Sequence, residues 1–152
     1  MPKTIVITSW YFNPIHPWHI QCMEMCKALG DELWVIINSD HQVRLKTGQQ
    51  ELFQDQEFRM TVVSALKSVD RIILSIDTDE SVCQSIVAIS TLIRSEYGFD
   101  TQIIFGKGWD RFASNIPEVL VCQEYNIQIC DWLGNKTHNS SEYRAKKLII
   151  HK

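Results

Sequence analysis

Short runs of β-branched and aliphatic residues, too short for helices and uncharged in their interiors, recur along the chain with helix-like stretches between them. They stand at residues 4–8 (TIVIT), 32–38 (ELWVIIN), 71–76 (RIILSI), 101–105 (TQIIF) and 126–130 (NIQIC). A run that is apolar at odd and even positions alike reads as a strand covered on both faces, which is the habit of parallel sheets. Helices are expected between them. Residues 18–29 carry Ile20, Met23, Cys26 (or Met25) and Leu29 near helical spacing, with Gly30 as a C-terminal cap. Residues 55–66 place Phe58, Val62, Val63 and Leu66 on one face, and further helices are expected over 79–96, over 117–125 and, with basic character, from about Ser140. Strands alternating with helices predict right-handed crossovers and a doubly wound α/β domain, a five-stranded parallel sheet within a single unit spanning residues 1–152.

Composition narrows the function classes. The 152 residues are 45% hydrophobic and 22% charged with a net charge of -3. A chain of this length buries roughly 70% of its unfolded surface, enough for one core without disulfide or metal staples. The slight negative charge argues against a protein that coats nucleic acid or an anionic membrane. Five cysteines without CxxC spacing, and an N-terminus MPKTIVITSW lacking secretory-signal features, lead to the expectation of a reducing, cytoplasmic location. The apolar runs are strand-sized, so no membrane span is expected.

In doubly wound sheets, ligands bind beyond the carboxyl ends of the strands, which directs attention to residues 9–17, 39–54, 77–80, 106–115 and 131–139. The first of these loops, SWYFNPIHPWH, ends in His16 and His19 at the entry to the first helix, with Pro17 suited to the first helical turn. Two imidazoles one turn apart at a positive helix end can both contact one phosphate. Fixed donors of this kind suit phosphoryl or nucleotidyl transfer, where charge builds on the oxygens of the attacked phosphorus.

On these residues the chain resembles the HxGH nucleotidyltransferases, in particular the small cytidylyltransferase-like enzymes such as glycerol-3-phosphate cytidylyltransferase and heptose-phosphate adenylyltransferase. The pattern G-[TY]-F-[DN]-x-x-H-x-G-H stands here as Trp10-Tyr11-Phe12-Asn13-Pro14-Ile15-His16-Pro17-Trp18-His19. Asn38-Ser39-Asp40, followed by Arg44, Lys46 and Gly48, matches the segment after the second strand. Arg59, Val69 to Ile72, Gly106-Lys107-Gly108-Trp109-Asp110-Arg111 and Asn139-Ser140-Ser141-Glu142-Tyr143-Arg144 match in order thereafter. The resemblance implies a Rossmann-like fold and transfer of a nucleotidyl group from CTP or ATP to a small phosphorylated alcohol or sugar, with Mg²⁺ and release of pyrophosphate. By that resemblance His16, His19 and Lys46 are catalytic, and Tyr11, Phe12, Asn13, Trp18, Trp109, Asp110, Ser140, Ser141 and Arg144 bind the nucleotide. Arg44 and Arg59 fall to the substrate, and a homodimer is implied. On the residues alone, Arg59 is equally an ion-pairing or surface residue, and Asn139 with Glu142 is an ordinary capping box.

Glycine is scarce here and tryptophan abundant, six against five. Trp10, Trp18 and Trp109 stand where the resembling family keeps glycine. Either their rings stack on a base or they fill the pocket, and the second outcome gives the alternative function: a catalytically impaired relative that binds a nucleotide or a protein partner. Cys22 and Cys26, four apart on the first helix, are expected as core thiols rather than metal ligands, and Trp34 and Trp132 as core or interface aromatics.

Overall fold

The computed structural model describes residues 2–108 and 117–133. Five strands form one all-parallel sheet: β1 (Thr4–Trp10), β2 (Glu32–Ile37), β3 (Arg71–Leu74), β4 (Gln102–Gly108) and β5 (Gln128–Leu133), in the spatial order β3-β2-β1-β4-β5. Among the described residues five helices connect them: α1 (Pro17–Lys27), α2 (Asp40–Thr47), α3 (Gln56–Ser64), α4 (Cys83–Tyr97) and α5 (Glu118–Glu124). This is the Rossmann-like α/β arrangement, and the strand order reverses between β1 and β4, whose carboxyl ends flank the ligand crevice of such sheets.

Alternation along each strand loads both faces, as the continuous apolar runs require. On one face Ile5, Ile7, Trp34, Ile36, Ile103 and Phe105 pack against Ile86, Ile89 and Ile93 of α4 and Cys122 of α5. On the other, Val6, Leu33, Val35, Ile37 and Ile104 meet Met23 and Cys26 of α1 and Val63 of α3. Each fully buried aliphatic side chain contributes about 1.5–3 kcal/mol. Trp34 is a core residue, fully buried, with its Nε1–H donating to Glu32 Oε1 at 3.0 Å. No helix among the described residues is long and apolar enough to cross a membrane.

Several expectations are corrected. Residues 39–54 are not all loop, because α2 lies within them. Its eight residues DHQVRLKT bury only Gln42 and Val43, so no apolar period announces it. The helix rests instead on its ends: Ser39 caps Gln42 N–H, Gln42 answers to the Ser39 N–H, and Gly48 closes it at φ 71. Gly30 is not a left-handed cap. Helix α1 ends at Lys27 with Ala28 as its C-cap, and a Cβ on Gly30 would stand 2.7 Å from the Thr4 carbonyl oxygen and 2.9 Å from Val6 Cγ2, so glycine is needed there for close approach to β1. The buried side of α3 keeps Val63 in the core with Leu66 packed against it, as expected, but Phe58 is 52% exposed and Arg59 is covered in its stead. The basic helix expected from Ser140 lies outside the described residues. Strand β1 runs two residues further than expected, to Trp10, and so delivers the first loop directly to the crest of the sheet.

Candidate functional site

Strand β1 ends at Trp10, and residues 11–16 turn into α1. Phe12 takes φ 51, a left-handed conformation costly for a side chain of its size, and its ring is 1% exposed in the core beneath α1. The burial of Phe12 fixes the loop from below. From the side, Arg59 fixes it through hydrogen bonds: one guanidinium nitrogen donates to the carbonyls of Tyr11 (2.8 Å) and Asn38 (2.6 Å), the other to Asp40 Oδ1 (2.9 Å), and Nε donates to the Gln54 carbonyl (3.2 Å). Arg59 therefore ties the first loop, the end of β2 and the start of α2 together from inside.

The anchored loop delivers two histidines to the start of α1. His16 is the N-cap residue and Pro17 the first helical residue, and the His16 N–H donates to Nδ1 of His19 at 3.2 Å. The imidazoles stack at 3.9 Å between centroids, 25° from parallel. Aromatic rings enclose His19: Phe12 at 5.0 Å, Trp10 at 5.1 Å and Trp18 at 6.0 Å, while Trp18 stacks on His16 at 6.2 Å. His16 and His19 are 4% and 5% exposed. Burial pushes the His19 imidazole from the usual histidine range down to about 2, and His16 and the Lys46 ammonium act in the same direction. His19 is thus neutral at physiological pH. Since its Nδ1 accepts a hydrogen bond, its proton resides on Nε2, which makes Nε2–H a donor.

Two of the three tryptophans at usual glycine positions consequently form walls of the histidine pair. Trp18 is 2% exposed and edge-on to Trp10 at 5.2 Å, so it braces the imidazoles rather than offering a broad open face. Asn13, 5% exposed, lies in the same loop. Lys46, exposed on α2, places its ammonium 4.1 Å from the centroid of the Tyr11 ring. Arg44 on the same helix donates through Nε to the Gln50 carbonyl at 3.1 Å and stands on the solvent side. The structure thus brings together Tyr11, Phe12, Asn13, His16, Trp18, His19 and Lys46, with Arg59 beneath them. Trp109, Asp110, Ser140, Ser141 and Arg144 lie outside the described residues.

Two supporting groups gave little sign in the sequence. Gln42, fully buried, accepts from Asn38 Nδ2 and the Ser39 N–H and donates to the carbonyls of Asp79 and Ser81, so its amide joins the end of β2 to the loop before α4. Asp77 caps α4 from upstream, accepting from Gln84 N–H at 2.7 Å and Ser85 N–H at 2.9 Å. Ser39-x-x-Gln42 was a visible capping signal; Asp77 lies too far from the first helical residue to read as a cap.

The described residues contain no group of three His, Cys, Asp or Glu side chains arranged to hold a metal. Cys22 and Cys26 are buried thiols outside any disulfide, and burial pushes Cys26 up to about 12. They do not form a built cage. A magnesium ion is usually carried by substrate phosphates and keeps several waters, needing one or two protein ligands at most.

Known proteins resemble this chain in sequence and in fold. The sequence pattern of the cytidylyltransferase-like family matches residues 11–148. The bifunctional protein HldE of Methylococcus capsulatus is 38% identical over 71 residues, 47% of this chain and 15% of that protein. HldE of Haemophilus influenzae is 40% identical over 68 residues, 45% of this chain and 14% of that protein. The chain therefore spans about a seventh of the length of these relatives. Among solved structures, a lipopolysaccharide core biosynthesis protein from Thermoplasma volcanium superposes with a TM-score of 0.65 at 23% identity, covering 86% of this chain and 96% of that one. A bifunctional NMN adenylyltransferase/ADP ribose pyrophosphatase from Francisella tularensis superposes with a TM-score of 0.61 at 12% identity, covering 93% of this chain and 40% of that one. These two likenesses speak for the fold. With the family pattern extending over most of the sequence, the chain belongs to the cytidylyltransferase-like family.

Proposed function

We propose that this chain transfers a nucleotidyl group from CTP or ATP to a small phosphorylated alcohol or sugar. An oxygen of the acceptor phosphate attacks the α-phosphorus, a new P–O bond forms, and the bond from the α-phosphorus to the bridging oxygen breaks to release pyrophosphate. The observation that carries this reading is the stacked His16 and His19 pair at the start of α1, beside the carboxyl end of β1. Family membership supports it.

In this reading the neutral His19 offers its Nε2–H to an α-phosphate oxygen, and His16 meets the same group from the adjoining position. Lys46 neutralises phosphate charge from the α2 side. Because these donors are held before the substrate arrives, they stabilise the growing oxygen charge without reorganising. Tyr11, Phe12 and Asn13 shape the loop along which the nucleotide lies, Phe12 acting through its backbone since its ring belongs to the core. Trp109 and Asp110 fall to the nucleoside, Trp18 acting only through the imidazoles it packs against, and Ser140, Ser141 and Arg144 to the outer phosphates. Arg44 remains assigned to the acceptor, whereas Arg59 serves the site from beneath. Magnesium, if it enters with the nucleotide, would add further neutralisation of phosphate charge. The working unit in this proposal is a cytoplasmic homodimer.

The test is pyrophosphate release with each of the four NTPs against a panel of sugar and alcohol phosphates. Turnover that disappears in His16→Ala and His19→Ala supports the proposal. The near-complete burial of the pair, with Trp18 packed on His16, favours a second reading in which the chain binds a nucleotide or a protein without turnover. Absence of release with every pair, together with binding unchanged by the two substitutions, establishes that second reading instead.

A further inference from the structure

The first loop turns its side chains alternately. Trp10 and Phe12 face His19, and Tyr11 between them turns the other way, toward α2. Its ring lies under the Lys46 ammonium at 4.1 Å, and its hydroxyl donates to the Glu80 carbonyl at 3.2 Å in the loop before α4. Its own carbonyl is held by Arg59 at 2.8 Å. The ring is thus fixed at both ends, and Lys46 reaches over it from the last turn of a short helix along four flexible bonds.

We propose that Tyr11 is a positioning residue for Lys46: its anchored ring holds the ammonium on the histidine side of α2, ready for a phosphate group of one of the two substrates. This rests on the nucleotidyl-transfer reading for what Lys46 contacts, but the pairing itself does not. A lysine over a tyrosine face gains a few-fold in occupancy at an exposed site, and a cation already in place loses less freedom when phosphate arrives. The Tyr11 hydroxyl links that position to the loop at residues 79–81, which Gln42 also grips from α2, so helix and ring move as one frame.

Two measurements test the proposal. Dimethylation of lysines with ¹³C and assignment by Lys46→Gln gives the Lys46 methyl signal in the protein without substrate. Ring shielding moves that signal upfield, Tyr11→Phe keeps the shift, and Tyr11→Leu abolishes it. An unshifted signal in the unsubstituted protein overturns the proposal whether or not the chain turns over any NTP. The second measurement is the KM of the NTP and of the acceptor phosphate. Tyr11→Leu raises one of them about twofold to fivefold, identifying which phosphate Lys46 serves, and Tyr11→Phe stays close to the unsubstituted value. In a Lys46→Met background Tyr11→Leu adds nothing further. Independent multiplication of the two effects overturns the proposal, because Tyr11 then acts on substrate directly rather than through Lys46.

Discussion

Nδ1 of His19 is occupied by the backbone N–H of His16, while the two imidazoles stack at 3.9 Å. One hydrogen bond therefore sets both the tautomer of His19 and its orientation. In the proposed reaction, replacing His19 by Ala removes a donor aimed at the developing charge, and loss of one such donor lowers turnover by about 10² to 10³. We expect that loss in kcat for His19→Ala, with a smaller change in NTP affinity, read by single-turnover pyrophosphate release.

The same burial gives stability a pH dependence. The unfolded imidazole takes a proton near pH 6.5, the folded one only near about 2. Below 6.5 the unfolded state binds the additional proton, so stability tied to neutral His19 is complete above about pH 6.5 and declines as pH falls toward 2. The decline contributes about 1.4 kcal/mol per pH unit. Urea denaturation at pH 7, 6 and 5 should show a steeper loss for the unsubstituted protein than for His19→Asn; parallel curves would contradict the assignment of a neutral, buried imidazole.

Arg59 holds four acceptors with a guanidinium that is 1% exposed. Arg59→Met leaves Asp40 and the carbonyls of Tyr11, Asn38 and Gln54 without this donor, and removal of one partner from a buried pair costs about 3–5 kcal/mol. Asp40 retains some contact with water, its side chain being 21% exposed, which places the expected loss near about 3 kcal/mol. Arg59→Lys recovers only part of it, since an ammonium cannot span both loops with a planar fork. Chemical denaturation reads both. Equal midpoints for the unsubstituted protein and Arg59→Met would remove Arg59 from its place as the tie between loops.

What the sequence could and could not disclose follows from how local each interaction is. The five strands were legible because burial on both faces writes itself as an unbroken apolar run, and the histidines because their spacing and Pro17 lie within one turn. Helix α2 was illegible as a period, since a helix burying only Gln42 and Val43 has almost no apolar face; its capping residues carried the information. Arg59 and Phe58 exchange inside and outside because a guanidinium with four acceptors is as buriable as an aromatic ring, and those acceptors come from Tyr11, Asn38, Asp40 and Gln54. Gly30 answers to the Thr4 carbonyl across the fold rather than to its own helix. Pairing of Tyr11 with Lys46 likewise needs β1 and α2 set side by side before it exists.

Trp18 decides between the two functional readings. Its indole is 2% exposed, stacks on His16 and meets Trp10 edge-on, so it is part of the packing that orients the pair. Trp18→Gly removes one of the largest side chains from a filled space, a change that costs about 3–5 kcal/mol for truncation to alanine, and glycine inside the first turn of α1 adds about 1 kcal/mol. If the indole is a brace, pyrophosphate release falls at least tenfold in Trp18→Gly at a temperature where the variant remains folded by circular dichroism, and Trp18→Phe retains more activity because an aromatic face still meets His16. If the indole instead occludes the crevice, Trp18→Gly gains NTP affinity over the unsubstituted protein despite its lower stability. Titration calorimetry of the folded variant separates the two, and a gain in affinity would transfer the chain to the non-catalytic reading.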